Sequence, residues 1–314
     1  MTSNQNSNLE LNIIKSLISP KKPNISRISN KFGITRQTFL NNFKLLRNKS
    51  IINDFTININ PNLQPNLKYV LIEIKSNPSE PDLIHSLMKI PQLKMLDGIF
   101  GEFSLFALFI FQNYEEFNQT LKVIDDIMSR SHFKKYQIIE PIKVYKTHGI
   151  ELTDNSIKPI DLDKVNLKVL QILQFEQGGK LLSTYDINKK FDLDKSQSTI
   201  YNRIKAMKKA NVILSYAINF NPRLLGFKGK FILRIKPRNP SHYDDLARNL
   251  GQKNEIIYLF RIGEQFGLLA IVRVKKIENY GKFIKNLYES EEVGDTYTNF
   301  VLDERKKFVN FKIY

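Results

Sequence analysis

Two apolar periodicities alternate along the chain. Leu11, Ile14, Leu17 and Ile18 recur at helical spacing, Ile25, Ile28 and Phe32 continue it, and Phe39, Phe43 and Leu46 resume it after Gly33-Ile34-Thr35. Gly33 suits a tight turn and Thr35 can cap the helix that follows. The spacing therefore predicts helix, helix, short turn, helix, which is a helix-turn-helix. "IINDFTININP" then alternates apolar with polar positions, as strands of a wing would. Beyond it the pattern reads strand, helix, strand, strand, helix, strand, over about 68–75, 81–89, 93–100, 104–111, 114–128 and 133–145.

The whole succession returns. Leu167, Leu170 and Leu173, then Ile187 and Phe191, then Ile200, Ile204 and Met207 mark three further helices, followed by "VILSYAINFNP". Six more elements span about 228–236, 242–250, 255–262, 268–274, 278–289 and 295–303. The turn "ININPNLQ" at 57–64 comes back as "INFNPRLL" at 218–225, an offset of 161. At that offset Ile51-Ile52 falls on Val212-Ile213, Phe43-Lys44 on Ile204-Lys205, and Lys75 on Lys236. Upstream the offset shrinks to 159 at Phe32 and Phe191, and to 156 where "LNIIKSL" meets "LKVLQIL"; downstream it grows to 163, with Phe103 on Phe266. Loop insertions shift an offset in small steps, whereas chance likeness does not stay collinear over half a chain.

These patterns predict an α+β protein in which two winged helix-turn-helix domains, 8–60 and 162–221, alternate with two ferredoxin-like βαββαβ domains, 66–147 and 227–309. Residues 148–161, polar and without apolar periodicity, read as a linker. Strands such as "FSLFALFIF" and "YVLIEIK" are apolar on both sides, so the sheet face without helices needs a cover. The nearest candidate is the chain's own second copy, an internal pseudodimer.

Charge narrows the class. Among 314 residues, 48 Lys and Arg stand against 31 Asp and Glu, a net charge of +17 with a pI near 9.7. That points first to nucleic acid and second to an anionic membrane surface. The absence of cysteine excludes disulfides, thiolate metal sites and cysteine nucleophiles, and fits a reducing interior. "MTSNQNSNLE" is too polar for a signal peptide, and "FSLFALFIF" too short to span a bilayer as a helix. The expectation is a soluble, cytoplasmic protein with no membrane partner.

With the apolar positions turned inward, the third helix of the first half offers Arg36, Gln37, Thr38, Asn41, Lys44 and Arg47, with Leu40 among them. The equivalent helix of the second half offers Ser196, Gln197, Tyr201, Asn202, Arg203, Lys205 and Lys208. Arg and Lys neutralise phosphates, while Asn and Gln can bond adenine edges in the major groove. A polar helix face is usually only a solvated one, but a solvated surface normally mixes both signs. From Leu11 to Asn53 there are nine basic residues and no acid, which favours double-stranded DNA as partner. The second head is less purely basic, with Asp186, Asp192 and Asp194 near its turn.

A winged helix-turn-helix followed by a ferredoxin-like domain resembles the Lrp/AsnC (feast/famine) transcription regulators. The likeness is most specific in "LDKVNLKVLQILQ", "STIYNRIKAMKKANVI", "INFNPRLLGF" and "EEVGDTYTNFVLDERKK" of the second half. It implies a DNA-binding first domain and a second (RAM) domain that dimerises and binds amino acids or related effectors, here with both copies in one chain and higher homo-oligomers in the family's manner. Three departures stand out. The residue matching Arg203 is Asn42 in the first half, and the first hinge reads "LQPNL" where the second has "LLGF". The resemblance places the effector loops at Gly101, Glu102 and Ser104 and at Gly263, Glu264 and Gly267. Both lack the family's Asp, leaving the two glutamates as substitutes or as simply exposed side chains.

Sirohaem decarboxylases resemble the same two-domain layout but rely on histidines and a clustered Arg and Asn signature. His85, His132, His148 and His242 are scattered and do not match across the repeat. Metal-ligand spacings, phosphate-cradling glycine loops and nucleophile elbows are missing from the sequence. The reading is a DNA-binding regulator, not an enzyme, with no cofactor and no metal. A partner module that keeps the fold for assembly without binding DNA is the other alternative.

Overall fold

The computed structural model describes residues 3–63, 67–152, 156–193 and 195–314. The chain runs α1 (Ser3–Leu17), α2 (Ile25–Lys31), α3 (Arg36–Asn48), β1 (Ile52–Ile59), β2 (Lys68–Lys75), α4 (Pro81–Met88), β3 (Leu93–Ile99), β4 (Leu105–Phe111), α5 (Tyr114–Ser129), β5 (Lys135–Ile139), β6 (Pro141–Thr147) and β7 (Ile150–Glu151). It continues α6 (Lys164–Phe175), α7 (Thr184–Phe191), α8 (Gln197–Lys209), β8 (Ile213–Phe220), β9 (Gly229–Pro237), α9 (Tyr243–Gly251), β10 (Ile256–Ile262), β11 (Leu268–Val274), α10 (Glu278–Tyr288) and β12 (Val293–Glu304). This mixed α+β chain divides into two compact units, 1–63 with 154–225 and 308–314, and 64–153 with 226–307. No helix among the described residues is long and apolar enough to cross a membrane.

The first unit holds both three-helix runs. Side-chain caps set the helix starts: Thr35 accepts from the Thr38 N–H at α3, Asp163 from Asn166 at α6, and Ser196 from Thr199 at α8. Gly33 at φ +63 and its counterpart Asp192 at φ +44 take the left-handed turn that ends α2 and α7. Phe39 and Leu46 are buried on α3, and Ile200, Ile204 and Met207 on α8. Leu167, predicted to face inward, is 42% exposed. The buried stripe of α6 runs through Asn166, Val169, Leu170 and Leu173 instead, because Asn166 takes the inward position and donates to the Asp161 carbonyl.

The segments predicted to build wings do something else. Each half contributes one strand, and β1 pairs antiparallel with β8, placing Phe55 opposite Ile218 and Ile57 opposite Tyr216. Each strand edge is thus satisfied by the other head instead of by a hairpin of its own. Ile57 is buried among Val169, Leu173 and Ile204 of the second head, and the Thr56 hydroxyl donates to the Gln174 carbonyl at 2.8 Å. The repeated Asn-Pro turn closes this ribbon at both ends. Asn60 N–H donates to the Val212 carbonyl and Asn221 N–H to that of Ile51. Each asparagine side chain then accepts the N–H two residues on, Asn62 and Arg223, and starts a turn that Pro61 and Pro222 pre-set. In the first hinge Gln64, Pro65 and Asn66 lie outside the described residues; in the second, Pro222–Leu225 form a 3-10 turn before Gly226 at φ +85. The tail from 308 belongs to this unit too: Val309 bridges Phe220, and the Phe311 ring packs on that of Phe220 at 4.9 Å.

The second unit is one antiparallel sheet in the order β5-β2-β4-β3-β12-β9-β11-β10-β6-β7. Val70, Ile72 and Ile74 pack with Leu83, Leu87, Phe117 and Ile124 of α4 and α5. Phe231, Leu233 and Ile235 pack with Leu246, Leu250, Phe283 and Leu287 of α9 and α10. The alternate residues of β2 are buried as well, Tyr69 against Phe260 and Glu73 against Arg234. The single strand predicted at 133–145 is two strands. β5 pairs with β2, the ladder breaks at Glu140-Pro141, and β6 pairs with β10; Pro141 has no N–H with which to continue the first ladder. β12 makes the same change of partner unbroken, running along β9 to Phe300 and along β3 from Val301, with a bulge between Val301 and Asp303. Of the predicted linker, Ile150–Glu151 form β7 on the edge of β6, and Thr153, Asp154 and Asn155 lie outside the described residues.

Candidate nucleic-acid interface and effector loops

On α3, Arg36, Gln37, Asn41 and Lys44 are exposed together. Gln37 Nε2 donates to Asn41 Oδ1 at 3.0 Å. The Gln37 carbonyl and the Asn41 amide group then form an acceptor and a donor one helical turn apart, the complement of an adenine edge. On α8, Gln197, Tyr201, Asn202 and Lys205 are exposed, with Asn202 and Lys205 at the helix positions of Asn41 and Lys44.

Other predicted contacts are engaged in holding the heads together. Thr38 shares its hydroxyl with Thr35 at 2.9 Å, and Ser196 is the cap of α8. Arg47 lies over Gly179 of the second half, where any added Cβ would collide with its guanidinium. Arg203 Nη1 donates to both carboxylate oxygens of Asp163, at 2.8 and 2.7 Å, and to Asn166 Oδ1 at 3.1 Å. That pins α8 to the start of α6 and removes the guanidinium from the open face. The Asn166 N–H and the Arg203 guanidinium hold the Asp163 carboxyl below its ordinary value. Lys208 packs over the Tyr216 ring at 5.3 Å, and burial, with Lys21 beside it, lowers its ammonium. Sequence reasoning missed Lys22, which reaches across to the Leu182 carbonyl at 2.5 Å; no local pattern signals a contact 160 residues away. Asp194 lies outside the described residues.

The six effector-loop residues do not converge on one site. Glu102 is exposed and pairs with Lys135 at 2.6 Å. Ser104 accepts from the Ser76 N–H at 2.7 Å and so fastens its own turn. Gly101 leaves room for the Asn299 amide, which a Cβ there would meet at 2.7 Å. Gly267, at φ +80, lies under Arg261 and Tyr243, which stack at 3.5 Å. Glu264 is half-buried, and its carboxylate is already engaged. Its Oε2 accepts from Arg234 Nε and its Oε1 from Gln137 Nε2, both at 2.9 Å. Gly263 and Glu264 do line a cavity of about 530 Å³, with Tyr114, Phe117, Asn118 and Leu121 of α5 and residues 137–140.

Of the histidines, His148 is brought to a chemically distinct place. It sits at φ +50 in the turn between β6 and β7, and its ring nitrogens lie 3.1 and 3.3 Å from the hydroxyl of buried Tyr258. Burial raises that phenol well above its ordinary value. Among the described residues no group of three His, Asp or Glu could hold a metal ion.

Comparison with known proteins adds to this geometry. Residues 230–310 match the Lrp/AsnC ligand binding domain. The HTH-type transcriptional regulator Ptr1 of Methanocaldococcus jannaschii is 29% identical over 123 residues, 39% of this chain and 79% of that protein. The HTH-type transcriptional regulator FL11 of Pyrococcus abyssi is 26% identical over 154 residues, 49% of this chain and 98% of that protein. Less than half of this chain thus spans most of each relative. Over its full length the fold is similar to the crystal structure of the siroheme decarboxylase NirDL, with a TM-score of 0.62, 13% identity and coverage of 98% of this chain and 94% of that one. That match corrects the expectation of a non-enzyme. An enzyme carries the same end-to-end layout, so neither the layout nor the scatter of histidines along the sequence excludes catalysis.

Proposed function

We propose that the protein is a sequence-specific, DNA-binding transcription regulator of Lrp/AsnC type, a tandem duplication whose two units form a pseudodimer within one chain. The single observation that carries this is the pair of exposed, capped helices α3 and α8, each presenting Asn and Lys at the same positions on an acid-free face. The matching pairing registers support the duplication. Leu71 faces Ile139 as Ile232 faces Asn299, and Ile99 faces Val301 as Ile262 faces Pro141. The two heads read half-sites about one helical turn, ~34 Å, or a multiple apart, and phosphate contacts make affinity fall steeply with salt. An amino acid or related effector acts through the RAM domains, with the cavity beside Gly263 as the place to look. Selection of duplexes from a random pool by the purified protein tests the proposal, followed by titration at several salt concentrations. A pool with no enriched sequence, together with affinity indifferent to salt, would falsify it.

The end-to-end likeness to NirDL and the His148–Tyr258 pair favour a second reading, an enzyme acting on a sirohaem-like tetrapyrrole. An absorption spectrum recorded with added sirohaem separates the two: a shifted band and turnover favour the enzyme, an unchanged sum of spectra the regulator.

A further inference from the structure

The face shared by the two βαββαβ runs is built from unlike residues at equivalent positions. Glu73 and Arg234 hold the same place in their ladders, the one between Phe106 and Gln137, the other between Leu269 and Tyr297. They meet each other, Arg234 Nη2 to Glu73 Oε2 at 2.8 Å, with both side chains 6% exposed. Arg234 also holds Glu264 at 2.9 Å and Asn299 at 3.3 Å. Beside this pair lies a buried ionic cluster. Lys230 binds Asp97 at 2.6 Å and Glu304 at 3.5 Å, and Arg273 pairs with Glu304. The registers assign each member a counterpart in the other run: Tyr69 for Lys230, Phe260 for Asp97, Ile110 for Arg273 and Val144 for Glu304. Tyr69 and Phe260 do touch, at 6.1 Å between ring centroids. One flank of the shared face is therefore ionic and its counterpart apolar, with an acid opposing a base between them.

We infer that the sheet face of each half is coded to accept the other half and to reject a copy of itself. This rests on the reading of the two runs as copies of one unit. Two first halves brought together would oppose Glu73 to Glu73 and bury Asp97 against Tyr69 twice. Two second halves would oppose Arg234 to Arg234, each keeping only Glu264, and set Lys230 against Phe260 twice, with Glu304 alone left to answer both Lys230 and Arg273. A buried charge left without its partner is strongly destabilising, and like charges at close range add to that cost. An apolar face would have been at least as stable for a single pairing, so the ionic flank supplies selectivity: it suppresses association of like halves between chains and keeps the pairing of unlike halves.

Thermal unfolding and mass in solution of the full-length chain test this. Glu73→Arg recreates within one chain the Arg-to-Arg contact of two second halves, and Arg234→Glu the Glu-to-Glu contact of two first halves. Each is expected to lower the unfolding midpoint by roughly 10 °C or to leave the chain insoluble. The double exchange, made together with Glu264→Gln so that no second carboxylate faces the new acid at 234, is expected to be soluble and to return the midpoint most of the way. Unchanged midpoints in both single variants, or a double exchange as damaged as either, overturns the inference. Adding an ionic pair at the counterpart position, Tyr69→Lys with Phe260→Asp, is expected to be milder than either change alone. Rescue at 73 and 234 without this second rescue keeps the pairing and removes the copy reading. DNA binding by the unsubstituted chain is an independent readout, and its loss would remove the regulator reading while leaving the exchange result standing.

Discussion

Lys44 and Lys205 occupy the same position on α3 and α8, exposed and one turn beyond Asn41 and Asn202. On the proposed regulator reading they contact phosphates, so Lys44→Ala and Lys205→Ala are expected to weaken binding to every duplex alike and to shallow the salt slope by about 1 each. Asn41→Ala is expected to relax preference at a single base pair by about 1–3 kcal/mol, as is Asn202→Ala; a binding selection on each variant reads that change. Arg203 belongs to the other class of basic residue. Its guanidinium grips Asp163 and Asn166, so Arg203→Ala is expected to loosen the second head and lower affinity while leaving the salt slope as it was. Which basic side chains are open was only partly legible in the sequence. Helical spacing places Asn41, Lys44, Asn202 and Lys205 on the exposed face, because that depends on 3.6 residues per turn alone. It cannot reveal that Arg47 crosses to Gly179 or Arg203 to Asp163, since those contacts depend on how helices pack.

The helices were readable because their starts are chemical. Thr35, Asp163 and Ser196 each stand just before the apolar stripe and each accepts an N–H from the first turn. Thr35→Ala is expected to destabilise α3 by about 1 kcal/mol, measured by denaturant unfolding. The cap at Asp163 carries a pH signature. Its carboxyl is held below its ordinary value, first by the Asn166 N–H and then by Arg203, so its contribution is fully present above the ordinary carboxylate value of about 3.9. It is lost as pH falls through the lower folded value. Protection of amides at the start of α6, taken relative to the intrinsic exchange rate at each pH, is expected to hold at pH 5 and to fall below about pH 4, with the Thr35-capped start of α3 as the unaffected control. Strands were less legible than helices. Alternation in "IINDFTININP" announces a strand but not its partner, and the partner is β8, not a neighbouring wing strand. The run 133–145 likewise hides a change of partner that only Pro141 marks in the sequence.

For the molecule as a whole, the recurrence of residue patterns at a near-constant offset was the part most open to reading, since it needs no structure to be noticed. How the repeats share elements was not, because the sharing is long-range. The C-terminal tail is one example: Phe311, 2% exposed, packs on Phe220 in the first unit. Phe311→Ala is expected to cost about 3–5 kcal/mol, visible as an earlier urea midpoint for probes placed in the helical heads and not in the large sheet. The regulator and tetrapyrrole readings do not part at this scale, since both fit the same end-to-end layout.

The β1–β8 ribbon has a consequence for the order in which the protein can be made. Ile57 emerges from the ribosome long before Val169, Leu173 and Ile204, the side chains that bury it, and the edge of β1 waits just as long for β8. A nascent first head therefore carries an unsealed apolar edge through the synthesis of an entire intervening domain. Completion of the second head is the event that closes both, and contacts so distant in sequence make that closure slow and a point at which chaperones matter.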